Sequence, residues 1–122
     1  MQNIANKNLG KKFTNCVYAV CEIAPEYSDI LLKYGNPLSK KFNRDKALLR
    51  SKEKIREISE PVNGALACFI DSRGLFVHVG LYLNGYVYHY LETHGLFAVD
   101  SDIILSTTDY IELKYYISED IK

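Results

Sequence analysis

The chain has little that would tie it to a disulfide framework, a membrane or a nucleic acid. It carries three cysteines, an odd number, and none stands in a Cys-x-x-Cys pair. An odd count argues against a disulfide scaffold and allows a free thiol. Cys16, Cys21 and Cys68, taken with the histidines, also lack zinc-finger spacing. Formal net charge is +0, from 15 basic and 15 acidic residues, so no overall field gathers nucleic acid or an anionic membrane. No apolar run approaches the roughly 20 residues of a membrane-spanning helix. Residues 1–12 are polar and basic and lack an apolar core segment, so no secretory signal is expected. Tryptophan is absent, whereas tyrosine occurs 10 times, largely in the C-terminal half where aromatics suit a pleated surface. These absences point to a protein made as a soluble cytoplasmic chain, delivered to a cell wall only by a phage, a lysis event or a secretion machine.

What is present is an ordinary globular balance. Hydrophobic residues are 48% and charged residues 25% of 122, enough for one domain over residues 1–122 with its own core. Residues 1–12 read as a flexible lead-in. Thr14-Asn15 offers N-cap side chains to a helix in which Cys16, Val17, Ala19, Val20 and Ile23 share one broad face. Pro25 stops it. Residues 26–34 suit a second short helix, ended by Gly35-Asn36-Pro37. A charged surface helix is expected over residues 44–59, with Asn43 as its cap. From Ala65 the apolar period becomes that of strands, at residues 65–70, 75–83, 86–91, 96–99 and 110–117. The expected fold class is therefore α+β, with N-terminal helices packed on a C-terminal antiparallel sheet of about five strands.

The chemistry concentrates in the hairpin at residues 75–91 and in Cys16. Asn84-Gly85 is a strong signal for a two-residue turn. Counting outward from it, Leu83 pairs with Tyr86 and His89 with Gly80. His78 then lies diagonally from His89 on the same face, within side-chain reach. Gly80 leaves an open notch on that face, suited to close approach by a substrate. Cys16 opens a helix, where unpaired N–H groups and the helix dipole favour a thiolate. An imidazole adds a base, and a second polar group holds that imidazole in its productive tautomer. The candidate catalytic set is thus Cys16, His78 and His89. His94, beside Gly95, reads as a rim residue. Cys21 and Cys68 read as core.

The run His78-Val79-Gly80-Leu81-Tyr82-Leu83, the Asn84-Gly85 turn and the later His89 resemble the NlpC/P60 family of papain-like cysteine peptidases. Asn15-Cys16 resembles that family's nucleophile position, and residues 61–67 and 110–117 its flanking strands. The resemblance implies a papain-like NlpC/P60 fold and cleavage of an amide or peptide bond through a thioester, in peptidoglycan stem peptides. It implies Cys16 as nucleophile, His78 as base and His89 as orienting residue. The backbone N–H of Cys16 and a tyrosine would hold the oxyanion. Asn15, Tyr18, Gly80 and His94 are the expected substrate-side residues. The implied partner is a peptide or peptidoglycan fragment, and neither a cofactor nor a metal is implied.

Where many cell-wall members carry Asp-Cys-Ser-Gly, this chain has Asn15-Cys16-Val17-Tyr18. That departure motivates a second reading, a catalytically silent binding or phage structural module. A third is an acyltransferase on another amide or ester.

Overall fold

The computed structural model of the chain describes residues 2–28, 31, 55–74 and 76–118. Its main body is one antiparallel sheet of six strands. These are β1 (Ile55–Ile58), β2 (Ala65–Ile70), β3 (Phe76–Leu83), β4 (Tyr86–Leu91), β5 (Gly95–Asp100) and β6 (Glu112–Ser118), in the order β1-β6-β2-β3-β4-β5. Among the described residues, the α-helices α1 (Gln2–Lys7) and α2 (Cys16–Ile23) precede them.

This overturns the expected fold of helices packed on a sheet, and with it the papain-like NlpC/P60 architecture. Among the described residues only α2, with eight residues, is a helix of seven or more. The clearest local departure is β1. Ile55 and Ile58 stand three apart, a spacing that fits a helix face as well as any strand. In the structure Ile55 pairs with Ser118 and Ile58 with Tyr115, so β1 is an edge strand beside β6. A long-range ladder has overridden a local period. The remainder of the helix expected over residues 44–59 lies outside the described residues, as do most of the helix at 26–34 and Leu75. At the start of the 26–34 stretch, Pro25–Tyr27 forms one 3-10 turn.

From Ala65, β2 to β5 form a meander, and β6 crosses back to pair with β2. The central turn of the meander has Asn84 at φ 51° and Gly85 at φ 87°. Positive φ at both central residues is what a tight hairpin compatible with strand twist requires. Asn63 braces the turn by accepting from the Asn84 N–H at 2.6 Å and donating to its side chain at 2.8 Å.

Side-chain alternation divides the sheet into two faces. Leu66, Cys68, Ile70, Val79, Leu81, Tyr88 and Leu96 point one way and meet α2. Ala67, Phe69 and Val87 point the other way, under the Ile104–Thr107 3-10 turn and Tyr110. Residues 2–12, expected as a flexible lead-in, dock on the first face instead. Ala5 is fully buried, and the Asn6 side chain accepts from the Tyr88 hydroxyl at 2.7 Å. Gly10 N–H donates to the Leu96 carbonyl at 2.7 Å and Leu96 N–H to the Lys11 carbonyl at 3.1 Å. This segment thus shields part of β5, an otherwise unpaired sheet edge. Its polar composition hides the docking, because the contacts are backbone pairs, polar side-chain hydrogen bonds and one small alanine. Among the described residues no helix is long and apolar enough to cross a membrane, a statement about helices alone.

Candidate functional site

The β3–β4 register places the two histidines together. Leu83 lies opposite Tyr86 and Gly80 opposite His89, the pairing counted from the Asn84-Gly85 turn. His78, diagonal to His89, comes within hydrogen-bonding distance: His78 Nε2 is 2.9 Å from His89 Nδ1. Each ring has an aromatic neighbour across its other ladder. Phe69 of β2 pairs with His78, with ring centroids 5.0 Å apart. Phe97 of β5 pairs with His89, with centroids 4.3 Å apart. Tyr110 stacks on His78 at 5.7 Å with an interplanar angle of 17°.

His78 and His89 are only 3% and 2% exposed. Burial penalises an imidazolium and holds both below the usual histidine range; for His78 the neighbouring His89 adds to the effect. The pair is therefore neutral near pH 7, sharing one proton across the 2.9 Å contact. Two tautomer arrangements satisfy that contact. When His78 Nε2–H donates, His78 Nδ1 is a free lone pair and His89 carries its proton on Nε2. When His89 Nδ1–H donates, His78 Nδ1 is protonated and is no base. His89 Nε2 is buried without a hydrogen-bond partner in either case.

Cys16 sits at the first position of α2, behind a true cap. Asn15 Oδ1 accepts from Val17 N–H at 3.0 Å and Tyr18 N–H at 3.2 Å. The side chain of Cys16 is in the core on the α2 side of the sheet, whereas the histidines belong to the opposite side. The two meet at an end of the β3–β4 ladder. Beyond Gly80 and His89, His78 pairs with Phe69 on β2, while Tyr90 and Leu91 pair with Leu96 and Gly95 on β5. The β3–β4 pairing ends there, where the Val79 backbone lies beside the Cys16 thiol. A cleft of about 200 Å³ at this point is lined by Asn15, Cys16, His78, Tyr90 and Tyr110, among others.

One expectation about this thiol is reversed. The helix start and three backbone hydrogen bonds favour the thiolate, but Cys16 is 1% exposed, and desolvation dominates. Its pKa is pushed up to about 12. Burial also raises Cys68 and the half-buried Cys21.

The notch expected at Gly80 is filled by the protein. A Cβ there would lie 2.7 Å from the Tyr88 carbonyl oxygen, 2.9 Å from Val87 Cγ1 and 3.0 Å from His89 Cβ. Gly80 therefore makes room for β4 and His89, not for a substrate. Of the other expected substrate-side residues, Asn15 lines the small cleft, and Tyr18 is exposed and lines neither cavity described here. His94 is exposed, pairs through Nδ1 with the Thr93 hydroxyl at 2.7 Å, and borders a second cavity. That cavity, about 540 Å³, is also lined by His78, His89, Phe97, Val99, Asp109 and Tyr110. Tyr110 borders both spaces and had no sequence signal, because it reads only as the start of the last strand. Among the described residues no group of three or more His, Cys, Asp or Glu is arranged to hold a metal ion. No family model matches the chain, and no curated protein matches it.

Proposed function

We propose that the chain is a cysteine hydrolase of amide or peptide bonds, with Cys16 as nucleophile, His78 as base and His89 as the residue that orients the base. The observation that carries this reading is a shared cleft. Cys16 and His78 line it together, while His89 occupies His78 Nε2 at 2.9 Å and leaves Nδ1 for the thiol proton. A substrate carbonyl in the cleft is attacked by Cys16 sulfur as its proton passes to His78 Nδ1. The carbon–nitrogen bond breaks, the amine leaves with that proton, and a thioester remains. Water then attacks the thioester, giving a proton to His78 and releasing the acid and the thiol. The backbone N–H of Cys16 is the candidate oxyanion donor.

The raised thiol pKa fits a resting pair that is neutral on both sides, with charge separating only during attack. The likeness of Asn15-Cys16 and His78–Leu83 to NlpC/P60 peptidases selects peptidoglycan stem peptides as the substrate class. The test is incubation of wild type and Cys16→Ala with purified peptidoglycan fragments, with products read by mass spectrometry. New cleavage products from wild type alone support the reading; identical spectra sink it. A second reading, a silent binding module, is favoured by the near-complete burial of Cys16 at 1% exposure. It predicts fragment binding without cleavage by either protein.

A further inference from the structure

We infer that the larger cavity is a binding site for a neutral carboxamide with an apolar or aromatic body, and that its occupant sets the tautomer of the His78–His89 pair. His89 has an unmet hydrogen bond. His89 lines the cavity, is 2% exposed, and its Nε2 is buried without a partner. Nδ1 is already engaged by His78. A buried polar atom without a partner is costly, so a ligand that satisfies it gains affinity and direction.

The walls specify the ligand. Phe97, Val99, Leu91 and the Tyr110 ring make the cavity mainly apolar, and at about 540 Å³ it is the size of a small-molecule site. Asp109, exposed at its border, disfavours an anion and offers an acceptor. A carboxamide meets both needs: its carbonyl accepts from His89 Nε2–H and its N–H faces the Asp109 carboxylate.

The consequence follows from proton placement. A carbonyl at His89 Nε2 keeps the proton there. His89 Nδ1 must then accept from His78 Nε2–H, and His78 Nδ1 is left as a lone pair on the side of the small cleft. Occupancy of one cavity thereby sets the base in the other. The binding stands on the cavity alone; the effect on Cys16 chemistry rests on the function proposed above.

Benzamide is a suitable probe. Nitrogen-15 NMR of the histidine side chains, at pH 7.5, reads binding and tautomer together. Benzamide should shift the His89 ring signals, and the Phe97 backbone amide in the same sample, saturably in the millimolar range, as expected for so small a ligand. His78 Nδ1 should move to the position of an unprotonated ring nitrogen. His89→Phe keeps a ring but removes the donor, and should weaken binding, followed at Phe97, by about tenfold or more. Val99→Phe, which narrows the cavity without touching the pair, should weaken it as well. No saturable shift at tens of millimolar overturns the site, as does undiminished binding by a folded His89→Phe protein. If neither variant folds, wild-type titration with toluene, which has no acceptor, decides: equal affinity for toluene overturns the site. Binding with no change at His78 overturns the coupling. Binding without any peptidoglycan cleavage by wild type would leave this site standing and remove the hydrolase reading.

Discussion

The buried histidine pair makes stability depend on pH in a way that can be worked out from the structure. Both imidazoles are held below their ordinary value of 6.5, chiefly by burial. The unfolded chain therefore binds protons that the folded chain refuses. A depressed histidine contributes no penalty well above 6.5, and stability is lost as pH falls through 6.5 toward the folded values. At pH 5.0 the solution is about 1.5 units below the ordinary value; at about 1.4 kcal/mol per unit, each ring costs about 2 kcal/mol. The pair together removes about 4 kcal/mol between pH 7.5 and pH 5.0, a large share of the roughly 5–15 kcal/mol typical of a domain. Urea denaturation followed by circular dichroism at the two pH values measures the loss. Carboxylates titrate as well, so the comparison protein is His78→Phe/His89→Phe, which keeps the aromatic cluster and removes both titrations. Wild type should lose about 4 kcal/mol more than this variant over the same interval. Equal losses would refute the reasoning, since the two rings would then protonate in the fold as readily as in the unfolded chain.

Other expectations follow from single contacts. Gly80→Ala forces a methyl group to 2.7 Å from the Tyr88 carbonyl and 3.0 Å from His89 Cβ, and should cost about 1–3 kcal/mol in the same denaturation assay. Asn15→Ala removes the two capping hydrogen bonds at the start of α2 and should cost about 1 kcal/mol. Iodoacetamide labelling, resolved by peptide mass spectrometry, tests the base: His78→Ala should slow Cys16 labelling by about tenfold or more at pH 7.5 while leaving the half-buried Cys21 unchanged. An equal rate at Cys16 in both proteins would remove His78 from that role.

What the sequence discloses follows the range of the interactions involved. The His78–His89 contact spans 11 residues, and one turn type determines its register, so Asn84-Gly85 is enough to predict it. The Asn15 cap is equally local. Gly80 shows the limit of the same logic. Its face and pairing partner follow from the hairpin, but what fills the space above a glycine depends on how closely β4 packs. There a missing side chain serves the strand–strand approach. β1 fails for a different reason: Ile55 and Ile58 carry no period that separates helix from strand, and their partners Ser118 and Tyr115 lie at the far end of the chain.

Cys16 joins these two cases, and its chemistry turns on which one governs. The helix start is a local feature that favours a thiolate, and it is present. The burial that opposes it comes from the assembled sheet, and burial is the larger effect, raising the thiol to about 12. As the proposed nucleophile, uncharged at rest, Cys16 would need activation by His78, with which it shares the small cleft. That neighbour is itself neutral, and its proton is held in place by His89. In the proposed mechanism, activation therefore depends less on the charge of either group than on which nitrogen of His78 carries the proton. The hydrogen-bond chain that decides this runs from the Cys16 cleft, through His78 and His89, to a nitrogen buried beside the larger cavity. With the histidines on one face and the cysteine on the other, the proposed site has two entrances, and the inferred ligand would set its proton position from the side opposite the thiol.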